Sequence, residues 1–288
     1  MRFKLTTLIL IIVLQSCNGQ IQNESVSQDS ILHDSIFPDH IEIKSIEEPL
    51  NSKIKTVHIF VPLCDNENQG IVPVNSSLGN GTNLRTNLYW GAGYGIKSYF
   101  KKLKDWELIH STPISDTLLE RVVFKKNLPD SSVVYLIADA YNGACMKQCL
   151  EDYFHSLNGH LSDYYSINDS LNIPIYNKSN LIIFNGHNGL MDTEVELFEP
   201  TNTNRKETIA IACYSFSYFK NYWENCKAIP ILSTTHLLAP EAYTIEASLN
   251  KWSTNKENIE IRNAAAKAYS NKHTCSYKTA QKLFKTGW

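Results

Sequence analysis

Apolar residues in this chain come in short unbroken runs separated by polar stretches rich in Asn and Gly. Val57 to Leu63, Val133 to Asp139, Leu181 to Phe184, Ile209 to Ala212 and Ile229 to Leu232 are the strongest runs. Runs of this length, bounded by turn formers, suit strands buried on both faces, as in a parallel sheet. Between them the period lengthens. Leu88, Ala92, Tyr99, Phe100 and Leu103 recur at helical spacing and predict a helix over 88–104, weakened by Gly91, Gly93 and Gly95. Ala144 to Leu157 predicts another, closed by Asn158-Gly159. Tyr218 to Asn225 reads as a short helix, and Ala239 to Trp252 as one with Pro240 in its first turn. Ile259 to Tyr269 and Tyr277 to Phe284 supply the closing helices. Trp106 to His110 and Leu118 to Lys125 read as short strands, and 161–179 as a polar connection. Strand and helix alternating over 57–250 predict an α/β fold: a mainly parallel sheet with helices on both faces, a three-layer sandwich.

The first residues break this pattern. Arg2 and Lys4 precede an apolar segment, Leu8 to Leu14, which ends in Gln15-Ser16-Cys17. The segment is too short to span a bilayer and has the layout of an export signal. Leu14-Gln15-Ser16-Cys17 also resembles a bacterial lipobox. That resemblance implies lipidation at Cys17, anchoring in the cell envelope (the outer membrane foremost) and removal of residues 1–16. Two acyl chains would anchor the chain stably. Residues 17–52, rich in Asn, Gln, Ser and acidic groups, read as a flexible tether, and 53–288 as the folded domain.

The candidate chemistry sits at two strand ends. Leu181-Ile182-Ile183-Phe184 runs into Asn185-Gly186-His187, and Ile209-Ala210-Ile211-Ala212 runs into Cys213. Parallel neighbours would bring His187 and Cys213 out together, where open α/β sheets hold their sites. An imidazole beside a thiol is the simplest way to a thiolate near neutral pH. Asp139, ending its own core run, is a candidate to line a substrate pocket or orient His187. Asp65, just past the first run, is a candidate substrate-binding residue, although Asn66, Asn68 and Gly70 favour a turn there. Asp192 reads as a turn residue. The loop 69–87 is long and without periodicity, as functional loops often are.

These two strand ends resemble the caspase-fold cysteine peptidases. An apolar strand, two residues and His187 match one half of that pattern; an apolar strand, a small residue and Cys213 match the other. The resemblance implies a caspase-like sandwich and a His187–Cys213 dyad attacking a peptide or amide carbonyl of a peptide or protein substrate. It also implies an oxyanion site built from backbone N–H groups of Cys213 and of Asn188 or Gly189. Asn188 stands where that family has Gly. Gly186 to Asp192 and Ala239 to Tyr243 are further similar to exported bacterial lipoproteins, a likeness that carries no activity. The alternative is a catalytically inactive caspase-like domain serving binding or assembly in the bacterial envelope. A flavodoxin-like ligand domain is a third reading, but no glycine-rich phosphate loop joins Val57 to Asn66 to a helix.

Composition narrows the classes. The chain has 288 residues, 43% hydrophobic and 19% charged, which is globular rather than disordered. A net charge of −2 gives no electrostatic footprint for nucleic acid. Cys145 and Cys149, four apart, read as core thiols, and Cys226 with Cys275 as a pair that an oxidising envelope would allow to bridge. No cluster of Cys and His at ligand spacing suggests a metal, and no cofactor is expected.

Overall fold

The computed structural model describes residues 53–288 except Asp169 and Leu197. The expected signal peptide, Cys17 and the tether lie outside the described residues. In chain order the elements are β1 (Ile54–Pro62), α1 (Ile96–Lys102), β2 (Glu107–Pro113), β3 (Leu118–Asn127), β4 (Val133–Tyr141), α2 (Met146–Asn158), β5 (Ser162–Ile167) and β6 (Leu171–Tyr176). They continue with β7 (Leu181–Asn185), β8 (Glu207–Ile211), α3 (Ser215–Asn225), β9 (Ile229–Thr234), α4 (Ala242–Trp252), α5 (Asn258–Lys272), α6 (Tyr277–Leu283) and β10 (Phe284–Lys285).

Eight strands make one sheet in the order β10-β9-β8-β7-β1-β4-β3-β2. The five from β9 to β4 run parallel; β10 at one edge and β3 and β2 at the other are antiparallel additions. Alternate residues of a strand face opposite sides, and both sides are covered. Val57, Ile59 and Val61 of β1, with Leu136, Ala138 and Ile183, pack in one cluster with α1, α4 and α5. Phe60, Ile182, Phe184 and Ala210 face the other way, against α2 and α3. The hairpin β5–β6 covers the remainder of that second face, where Ile167, Ile173 and Ile175 pack on Val123, Tyr135 and Ile137. The expected mainly parallel α/β sandwich is therefore the fold.

Burial of the apolar side chains holds these layers together. Phe184 and Phe219 are fully buried, worth about 1.5–3 kcal/mol each. Trp223 is buried too, and its indole N–H donates to the Tyr153 hydroxyl at 2.9 Å, so its polar edge is satisfied.

The sheet winds outward from its middle. The chain lays down β1, adds β4 on one side, then returns to add β7, β8 and β9 on the other. The direction reverses between β1 and β7, and sites of open α/β sheets lie outside the carboxyl ends at such a reversal.

Several elements differ from their sequence pattern. The helix over 88–104 reduces to α1, preceded by turns. A Cβ on Gly91 would meet the carbonyl oxygens of Leu84 and Arg85 at 2.3 Å, so the chain there is folded back on itself rather than helical. The connection 161–179 contains the hairpin β5–β6, whose apolar residues are too widely spaced by polar ones to stand out. Pro240 precedes α4 rather than opening it; Glu241 is the N-cap. Cys226 and Cys275 are free thiols, not a disulfide. Cys149 is a buried core thiol, while Cys145 sits half-buried in a 3-10 turn before α2.

Candidate active site

His187 and Cys213 leave neighbouring strands. β7 and β8 pair in parallel with Asn185 opposite Ile211, so the two residues follow adjacent strand ends. Beyond the ladder, the Gly186 N–H still donates to the Ile211 carbonyl at 3.2 Å. A Cβ on Gly186 would sit 3.0 Å from the Pro62 ring, so glycine lets the end of β7 close on the end of β1. Asn188 then ties the two loops: its Nδ2 donates to the Cys213 carbonyl at 2.7 Å.

The turn carrying Cys213 is fixed from below. Ser215 Oγ donates to the Ala210 carbonyl at 2.8 Å and accepts the Thr234 N–H at 2.9 Å. Thr234 Oγ1 donates to the Ala212 carbonyl. Tyr214, directly after the cysteine, is left-handed (φ 50°, ψ 32°) and donates its N–H to the His236 carbonyl at 3.1 Å. For a bulky L-residue that conformation costs about 1–2 kcal/mol. A second local cost lies one strand over. Asn185 is fully buried, and its Oδ1 has no hydrogen-bond partner among the described residues. Unsatisfied buried groups and strained backbone concentrate at functional sites.

His187 is nearly buried, and its Nε2 lies 2.6 Å from Oδ2 of Asp192, whose side chain is 29% exposed. The same Oδ2 accepts the Gly70 N–H at 2.9 Å. An ionised carboxylate only accepts, so the neutral imidazole carries its proton on Nε2 and its lone pair on Nδ1. Among the described residues Nδ1 makes no hydrogen bond, and it is not sealed from solvent. A basic nitrogen is thus left open at the carboxyl end of the sheet.

The Cys213 thiol is half-buried and donates to the Leu238 carbonyl at 3.6 Å, not to the imidazole. Burial raises its pKa, opposed by hydrogen bonding to the backbone of Leu238 and of Cys213 itself. Cys213 therefore rests as a thiol. Cys64 at the end of β1 is pushed to about 11 and Cys226 to about 12, both by burial.

The remaining expected site residues fall differently. Asn188, at φ −77°, adopts backbone open to any residue, so Asn fits where the resembled family has Gly. It is buried, and its Oδ1 accepts the Leu190 N–H at 3.2 Å. Gly189 packs against Met146, whose Cγ would lie 2.3 Å from an added Cβ. Asp65 is a turn former: Oδ1 accepts the N–H groups of Glu67 (2.9 Å) and Asn68 (3.2 Å), and Oδ2 the Asn68 side chain at 2.8 Å. It nevertheless lines a polar cavity of about 450 Å³ with Glu67, Asn68, Asn80, Thr82 and Asn142.

Asp139 corrects the expectation attached to it. It is fully buried and its carboxylate is taken up by Arg121, through Nε to Oδ1 and Nη2 to Oδ2 at 2.7 Å each, and by His58 Nε2 at 2.9 Å. It neither orients His187 nor lines the polar cavity, and belongs to the sheet interior. Burial works to raise its pKa, but Arg121 and then His58 outweigh that and hold it at about 2. The carboxylate at His187 is Asp192, legible in the sequence only as a turn residue. Its one signal was a position a few residues past the histidine in a short Gly-rich loop.

No family model, curated protein or solved structure matches the chain. The site is therefore read from its own geometry. Among the described residues no group of three or more His, Cys, Asp or Glu side chains could hold a metal ion. No described helix is long and apolar enough to cross a membrane.

Proposed function

We propose that this chain is a caspase-like cysteine hydrolase, anchored in the bacterial envelope through Cys17, that attacks a peptide or amide carbonyl with Cys213 and His187. The observation carrying this reading is the emergence of both residues from adjacent parallel strands, with their loops joined by the 2.7 Å bond from Asn188 to the Cys213 carbonyl. Histidine follows β7 and cysteine follows β8, and the resemblance rests on that same placement of His and Cys after two apolar strands.

The chemistry follows from the resting state. His187 Nδ1 takes the proton from the Cys213 thiol once the side chain turns from the Leu238 carbonyl. The thiolate adds to the carbonyl carbon, and backbone N–H groups of Cys213 and of Asn188 or Gly189 receive the oxyanion; one such donor is commonly worth about 3–4 kcal/mol. The C–N bond breaks as the imidazolium returns the proton to the leaving amine. Water, deprotonated by Nδ1, then cleaves the thioester, releasing the acid and restoring the thiol. A raised thiol pKa makes the base indispensable, because almost no thiolate exists at pH 7 without it.

The thiol bonded to Leu238 instead of His187 favours a second reading, a domain that binds without catalysis. A peptidyl acyloxymethyl ketone separates the two. On the hydrolase reading it labels the full-length protein at Cys213, and Cys213→Ala and His187→Ala abolish labelling. Failure of a panel of such probes with varied side chains to label Cys213 would favour the binding domain. Lipidation is tested separately: an alkyne fatty acid fed to expressing bacteria should tag wild type and spare Cys17→Ser.

A further inference from the structure

Asp192 joins two loops that the sequence keeps far apart. Its Oδ2 receives both His187 Nε2 at 2.6 Å and the Gly70 N–H at 2.9 Å. Gly70 follows β1 and belongs to the loop that lines the polar cavity; His187 follows β7. The contact therefore spans the winding reversal between β1 and β7. The approach depends on glycine. A Cβ on Gly70 would lie 2.3 Å from Asp192 Oδ1 and 3.1 Å from its Cγ, and the part-exposed carboxylate is the group able to yield.

We propose that Asp192 is the positioning residue of His187, and that the Gly70 N–H holds it in that role. This rests on the hydrolase reading only in what the histidine is for; the positioning itself is independent of it. Two accepted hydrogen bonds leave the carboxylate little freedom about its χ angles. A carboxylate so held permits the Nε2–H tautomer alone, which leaves the Nδ1 lone pair without a hydrogen bond among the described residues and open to accept a proton. Without Asp192 the proton is free to move to Nδ1, and the base is lost for the fraction of molecules in that tautomer. Gly70 makes the device answerable to the loop 65–87, because any shift of that loop removes one of the two donors on Oδ2.

The test uses the full-length protein with 15N-labelled histidine, comparing wild type, Asp192→Ala, Asp192→Glu, Gly70→Ala and His187→Ala. Long-range 1H–15N spectra report the His187 tautomer directly, which a merely structural role would not move. Wild type should show Nε2–H. Asp192→Ala and Gly70→Ala should show a mixture with Nδ1–H, and Asp192→Glu should restore part of the wild-type signal. In parallel, the iodoacetamide rate at Cys213 at pH 7 should fall by about 10-fold in Asp192→Ala and less in Gly70→Ala, a fraction of the 10²–10⁴ that a general base supplies. An unchanged tautomer in Asp192→Ala overturns the proposal. A changed tautomer with Cys213 reactivity indifferent to His187→Ala leaves the positioning standing and sinks the hydrolase reading.

Discussion

Among the described residues two histidine–aspartate pairs occur, and their surroundings are opposite. His58 and Asp139 lie in the middle of the sheet, both fully buried. Every strong hydrogen-bonding position there is taken: His58 Nδ1 accepts the Tyr176 N–H at 2.9 Å, its Nε2 donates to Asp139, and Arg121 clamps the carboxylate from the neighbouring antiparallel strand. His187 and Asp192 lie at the sheet's end, with Asp192 part-exposed and one imidazole nitrogen unengaged. The first pair has no proton to give or take without breaking a bond. The second has one. The two pairs share the same residue types and differ in the count of unspent lone pairs.

The largest expected difference between the pairs is in stability. Arg121→Met strips a buried carboxylate of its cation and should cost about 3–5 kcal/mol in urea unfolding. Asp192→Ala should cost less than about 1 kcal/mol, since part-exposed pairs contribute little. Equal costs would erase the contrast.

The pairs should also separate by pH. Burial lowers the His58 pKa, against an opposing pull from Asp139, and Asp139 sits at about 2. In an unfolded chain these groups titrate near 6.5 and 3.9. Both bind protons more readily unfolded than folded, so stability falls as pH falls. The loss begins at about pH 6.5 through His58 and continues from about 3.9 toward 2 through Asp139. Urea midpoints across pH should show the upper limb flattened in His58→Gln and the lower limb retained. A His58→Gln profile that still bends near pH 6.5 would place that limb elsewhere. The smallest effect is at the rim of the same cluster. Arg121 Nη2 donates to the Tyr176 hydroxyl at 2.9 Å, and Tyr176→Phe should cost about 1 kcal/mol, with no change in Cys213 reactivity.

The same contrast explains what was legible in the sequence. The strands carrying His187 and Cys213 announced themselves because both faces of each are buried, giving unbroken apolar runs. Parallel pairing then brought the two residues to one end, as expected. The carboxylates were legible only by position, and position misled. Asp139 ends a core strand and invited a functional role, but Arg121 pairs with it across strands, opposite it in the β3–β4 register, and such a partner is invisible until register is known. Asp192 sits in a loop whose composition says turn, and its meeting with Gly70 depends on a contact between residues 122 positions apart. The hairpin β5–β6 escaped for a different reason: only Ile167, Ile173 and Ile175 are buried along it, too few to make a pattern.

Whether His187 serves Cys213 shows in the pH dependence of Cys213 alkylation. Iodoacetamide rates at each thiol of the full-length protein, resolved by peptide mass spectrometry from pH 5 to 10, should put Cys213 ahead of Cys145 and Cys275 at pH 7. The same rates in His187→Ala should fall at neutral pH and recover only at alkaline pH, where burial no longer keeps the thiol protonated. A Cys213 profile that is unchanged by His187→Ala would mean that His187 does not serve Cys213.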